Sequence, residues 1–104
     1  MVEHVDLFAA LGDPTRREVL NILAARGEAS ATAIASQLPV SRPAVVKHLG
    51  VLDRVGLLEE RRQGREVLFS VRAEPLESAS RWLAVVASEW DRRLAALKRL
   101  AEDS

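Results

Sequence analysis

A mainly helical fold carrying one small β-hairpin, in the order α-α-α-α-β-β-α, is what this sequence predicts. Apolar residues recur at three- and four-residue spacing through most of the chain. Only residues 66–72, after a turn that contains glycine, switch to a two-residue period. Ser, Asp, Pro and Gly stand where helices need to start and stop.

Val5, Phe8, Ala9 and Leu11 mark a short first helix, and Gly12 ends it. Asp13-Pro14 reads as an N-cap and first helical residue, because proline lacks only an N–H that the first turn leaves unbonded anyway. Val19, Leu20, Ile22 and Leu23 give this second helix its buried face, and Gly27 closes it. Ser30 caps a third, short helix holding Ala31, Ile34, Ala35 and Leu38. It should stop near Leu38, since Pro39 follows and the residue before a proline avoids the α region.

Ser41 caps the fourth helix, which tolerates Pro43 in its first turn. Its Val45, Leu49 and Leu52 fall at i, i+4 and i+7, one buried stripe, before Gly56 ends it. Strands are expected at 57–62 and 66–72, around Gln63-Gly64-Arg65. In the second, Val67, Phe69 and Val71 alternate with Glu66, Leu68, Ser70 and Arg72. A long helix runs from about 75 to 102, with Ala79, Trp82, Leu83, Val86, Trp90, Leu94, Leu97 and Ala101 on one face. That face is larger than one small core can cover, and pairing with a second copy is the simplest cover.

The 104 residues fit one domain over 1–104, with 48% apolar and 29% charged residues excluding a disordered chain. Two short helices joined by a turn with proline, then a hairpin, describe a helix-turn-helix with a wing. On that reading the recognition helix spans about 41–55, the wing about 57–72 and the dimerisation helix about 75–102.

Zero net charge argues at first against nucleic acid, but the distribution reverses this. Residues 1–40 hold three Arg against five acids, and residues 73–104 hold five basic residues against six acids. Residues 41–72 hold seven basic residues against four acids. A positive block between two acidic ones is the footprint expected for double-stranded DNA as partner.

With Val45, Leu49 and Leu52 inward, the fourth helix turns Arg42, Pro43, Val46, Lys47 and Gly50 outward. Arg42 is in the first turn, where recognition helices reach base edges, and it can pair bidentately with guanine. Pro43, Ala44 and Val46 suit thymine methyl groups, while Lys47 and His48 suit phosphate or polar base edges. Ser30 and Ser41 cap helix N-termini that suit phosphate. The hairpin tip Arg62-Gln63-Gly64-Arg65 carries two Arg with no acid between them, as a wing entering a minor groove would.

Three stretches resemble the ArsR/SmtB-type regulators. Leu11-Gly12-Asp13-Pro14-Thr15-Arg16-Arg17 is similar to the lead-in to that family's second helix. Val40-Ser41-Arg42-Pro43-Ala44-Val45-Val46-Lys47-His48-Leu49, with Leu52, is similar to its recognition helix. Gly56-Leu57-Leu58, Gly64-Arg65 and Phe69 are similar to its wing. The resemblance covers roughly residues 5–101. It implies a homodimer built from the first and last helices, with Val5, Phe8, Trp82, Leu83, Val86, Trp90, Leu94 and Leu97 at the interface. It also implies binding to an imperfect palindrome near a promoter, as a repressor released by an effector.

The sequence departs from the family's metal sensors. One of their sites uses Cys near the third helix, where this chain reads Glu28-Ala29-Ser30-Ala31-Thr32. Another uses Asp, His and Glu on the last helix, which has no His here. No metal site and no cofactor are expected. His4 is expected as a surface residue without a partner. Trp82 and Trp90 leave open interface packing or an apolar pocket for a small-molecule effector, beside a third option of no effector and control by expression level or a partner protein.

The absence of Cys excludes disulfides and thiol redox chemistry. No apolar run nears the ~18 residues of a membrane span, and the N-terminus does not read as a secretory signal, so no membrane partner and a cytoplasmic location are expected. With no Tyr, no Gly-rich phosphate loop and no nucleophile–base spacing, an enzyme is not expected. The competing reading is a winged-helix protein-interaction module without sequence-specific DNA binding.

Overall fold

The computed structural model describes residues 2–103, with side chains from His4 onward; Met1 and Ser104 lie outside the described residues. Its elements are α1 (Val2–Leu11), α2 (Pro14–Arg26), α3 (Ala31–Ala35), α4 (Arg42–Arg54), β1 (Leu58–Gln63), β2 (Glu66–Val71) and α5 (Glu74–Asp103). The order is the one the periodicities predict.

The caps act as their chemistry requires. Asp13 Oδ1 accepts from the backbone N–H of Thr15 at 2.8 Å and of Arg16 at 3.2 Å. Ser30 Oγ accepts from Ala33 N–H and Ser41 Oγ from Ala44 N–H, each at 3.2 Å. These bonds satisfy donors that a helix start leaves without a partner. Gly27 ends α2 at φ 86°, a left-handed conformation that glycine adopts without cost to a Cβ.

Helix α3 ends earlier than expected, at Ala35 instead of near Leu38. The Ser36 hydroxyl donates back to the Ala33 carbonyl at 2.6 Å, and Gln37 and Leu38 N–H bond three residues back, to Ile34 and Ala35. The α-helix tightens into a turn of the i→i−3 kind before Pro39. The turn directs the chain into α4.

Val19 and Leu23 of α2, Ile34 of α3, Val45, Leu49 and Leu52 of α4, and Leu57 just before β1 are fully buried. Each such side chain contributes about 1.5–3 kcal/mol by leaving water. One core therefore fixes α3 and α4 against α2. The hairpin docks on it through Leu58 and the partly buried Phe69 and Val71.

The strands pair antiparallel in the register Leu58↔Val71 to Gln63↔Glu66, leaving a two-residue loop of Gly64-Arg65. Gly64 has φ 63° and Arg65, like every non-glycine among the described residues, does not have positive φ, the pattern of a type II′ hairpin. Ala29 bridges to Phe69 by two backbone hydrogen bonds of 3.0 and 2.9 Å, so the α2–α3 loop is tied at one residue to the free edge of β2.

His4 is the clearest correction. Expected at the surface, it is only 9% exposed. Its ring stacks on Trp82, Nε2 lies 3.4 Å from Ser78 Oγ, and Nδ1 is buried without a partner among the described residues. Helix α1 faces its own chain with His4, Leu7 and Ala10, while Phe8 is half-buried and Val5 is 63% exposed.

Helix α5 spans 30 residues, about 45 Å at 1.5 Å per residue. Among its described residues only Ala79 is buried. Trp82 and Val86 are half-buried, whereas Leu83, Trp90, Leu94 and Leu97 are 48–62% exposed. The radius of gyration is 18.8 Å, against about 13 Å for a compact chain of this length. Among the described residues, no helix is long and apolar enough to cross a membrane.

Candidate nucleic-acid interface

Three elements converge on one groove. Its walls include Ser30 and Thr32 from the start of α3, Arg42 and Val46 from α4, and Arg65 from the hairpin tip. The shared core explains this convergence, because Ile34 on α3 and Val45 on α4 point inward and turn the opposite faces of both helices toward the hairpin.

Arg42 is exposed, and its Nε donates to Thr32 Oγ1 at 3.0 Å. One edge of the guanidinium is thereby anchored on α3. Val46, an apolar side chain, is 46% exposed. Pro43 and Lys47 are exposed and Ala44 is half-buried. Ser30 and Ser41 spend an acceptor lone pair on capping, which leaves each hydroxyl proton for a second partner.

His48 differs from these residues. It is half-buried, and Nδ1 lies 3.4 Å from Arg16 Nη1. Arg16 Nε in turn donates to the Ala10 carbonyl at 2.7 Å. The imidazole therefore braces α4 against the start of α2.

The hairpin divides its residues between two faces, because successive strand side chains alternate. Arg62, opposite Val67, shares the face of Leu58, Phe69 and Val71. Gln63 shares the other face with Arg61, whose Nη2 donates to Gln63 Oε1 at 3.1 Å. The tip residues expected to act together are thus separated, with Arg62 and Gln63 on opposite faces.

Ion pairing sorts the positive charge of the middle segment. Arg61 forms a two-pronged pair with Glu28, which holds the Glu28 carboxyl below its usual range. Arg72 lies 3.9 Å from Glu59 and 3.3 Å from Glu74. Among the described residues, no carboxylate is within ion-pair distance of Arg42, Lys47, Arg62 or Arg65. Arg54, in the last turn of α4, is unpaired among them as well; the rest of this segment's uncompensated charge lies at the start of α4 and the end of the hairpin. The one counterweight is Glu60 with Glu66, both in the groove wall.

Thr32, Arg16 and Glu28 were not singled out by the sequence. Each acts on a residue ten or more positions away, at 42, 48 and 61 respectively. Local spacing carries no trace of such pairs.

A family model described as a helix-turn-helix domain matches residues 11–61. The solved ArsR-like transcriptional regulator from Rhodococcus sp. RHA1 superposes with a TM-score of 0.86 at 44% identity, covering 96% of this chain and 93% of that one. This chain belongs to the ArsR family. The transcriptional repressor SdpR of Bacillus subtilis is 30% identical over 78 residues, 75% of this ArsR-family chain and 86% of that protein. The winged helix-turn-helix DNA-binding domain Mb0332 of Mycobacterium bovis, described as homodimeric, superposes with a TM-score of 0.66 at 28% identity, covering 84% of this chain and 80% of that one. The family is one of winged helix-turn-helix transcriptional regulators, and the helical order and two-stranded hairpin of this ArsR-family member match that fold.

Proposed function

We propose that the chain is a sequence-specific repressor that binds a palindromic operator in double-stranded DNA as a homodimer, and that it has no catalytic role. The observation that carries this reading is the sorting of charge, which leaves Arg42, Lys47, Arg62 and Arg65 without carboxylate partners among the described residues. Arg42, with Pro43, Ala44 and Val46, reads base edges in the major groove, and Lys47 with the Ser30 and Ser41 hydroxyls sets register on phosphates. Arg62 and Arg65 reach the flanking minor groove or its phosphates. Gln63 and His48 have secondary parts, Gln63 beside Arg61 and His48 as a brace on Arg16.

The exposed stripe of Leu83, Trp90, Leu94 and Leu97 on α5, with Val5 on α1, supports pairing of two copies. The homodimeric state named for the Mycobacterium bovis relative supports the same arrangement. A two-fold pair sets two α4 helices about one DNA turn apart, ~34–36 Å, and so matches two half-sites. Action on DNA places the protein in the cytoplasm of its cell.

Mobility shifts with promoter fragments at several salt concentrations test the reading. Tight, salt-sensitive binding to one short palindrome, two chains per site, is expected. Weak binding, equal for all fragments and for random duplexes, would instead favour a protein-interaction module.

A further inference from the structure

We infer that Thr32 is a positioning residue for base readout, fixing the Arg42 guanidinium by its hydrogen bond so that the outer edge is presented to DNA. This rests on the proposed reading of Arg42 as a base contact. Arg42 is exposed and sits at the first position of α4, where little packing restrains a long side chain. Its Nε donates to Thr32 Oγ1 at 3.0 Å, across ten residues and between two helices. A guanidinium recognises guanine with two parallel N–H groups, and Nε is one of the donors on its inner side. Occupying Nε with a protein acceptor leaves the Nη1 and Nη2 edge for the base.

The anchor is itself fixed. Thr32 belongs to a helix that Ser30 caps and that Ile34, fully buried, ties into the core. Thr32, Arg42 and Arg65 all line the same groove, so the anchored guanidinium faces the side on which the wing stands. Without the anchor, the Arg42 side chain would be ordered only on binding, and ordering a long side chain weakens binding by about three- to tenfold.

The full-length protein is used to select duplexes from a random DNA library. Selection is then repeated with Thr32→Val, Thr32→Ser and Arg42→Ala. Valine matches threonine in shape and lacks only the hydroxyl, and circular dichroism melting checks that each variant folds. Thr32→Val should lower affinity for the selected duplex about three- to tenfold, leave binding to random duplex unchanged, and blur the consensus at the position that Arg42→Ala also blurs. Thr32→Ser should restore both. In the Arg42→Ala background, Thr32→Val should have no further effect.

An equal loss on selected and random duplexes, undiminished in the Arg42→Ala background, would make Thr32 a phosphate contact and overturn the inference. An unchanged consensus with Thr32→Val would overturn it as well. Failure of the wild type to enrich any sequence would instead overturn the regulator reading, and the positioning role with it.

Discussion

His4 lies flat against Trp82, with ring centroids 5.4 Å apart and planes inclined by 12°. Phe8 completes the cluster, 5.8 Å from Trp82. This aromatic stack joins the first helix of the chain to the last. Trp82→Ala should cost about 2 kcal/mol in urea unfolding, below the ~3–5 kcal/mol of a fully buried aromatic because Trp82 is half-buried. A loss under about 0.5 kcal/mol would show that the stack holds nothing together.

His4→Phe has the opposite sign. It keeps the ring and removes Nδ1, which is buried without a partner among the described residues. A buried polar atom left unbonded costs about 1–3 kcal/mol, and the long 3.4 Å contact to Ser78 offsets part of that gain. Stabilisation of about 1 kcal/mol is expected by the same unfolding measurement.

The exposed stripe on α5 gives a test of assembly. Leu94→Glu with Leu97→Glu places charge where both residues are 58% and 62% exposed, so the single chain keeps its own core. Sedimentation should show a monomer, with circular dichroism still helical. A pair of chains that survived both changes would move the interface elsewhere.

The wing is tested by salt. Arg65→Ala should weaken binding to every duplex and reduce the slope of log affinity against log salt by about 0.9, one phosphate contact. Arg61→Ala is the matched control, since its charge is already taken up by Glu28, and the slope should stay. Equal slopes for wild type and Arg65→Ala would take the hairpin tip out of the interface.

Acid should loosen the fold in a defined window. Backbone N–H groups of Arg16 and Thr15 hold the Asp13 carboxyl below its usual value, and the Arg61 hydrogen bond does so for Glu28. A carboxyl depressed in the folded state stabilises at pH values above its unfolded pKa, and that stability is lost as pH falls through the folded value. Melting temperature should therefore be flat near neutrality and fall below the usual carboxylate range, about pH 4. Asp13→Ala should lower stability at pH 7 and flatten the acid limb of the profile.

The sequence disclosed what depends on neighbours along the chain. Val45, Leu49 and Leu52 are inward because of helical spacing, and they are among the best buried residues. The caps Asp13, Ser30 and Ser41 bond their own next turn, so they too were legible. His4 was not, because its stacking partner stands 78 residues away and a lone imidazole near the N-terminus has no periodicity to reveal it. The faces of Arg62 and Gln63 waited on the hairpin register. Likewise the pairing of Arg61 with Glu28 could not be seen in a simple count of charges along the middle segment.

Helix α5 has a consequence for how much of the protein a cell keeps. In a lone chain its far turns lie outside the core, and an isolated helix end of that length is only marginally ordered in water. Under the pairing proposed above, its order rises with concentration by mass action. Scarce chains then expose a frayed end to proteases, while abundant ones shield it.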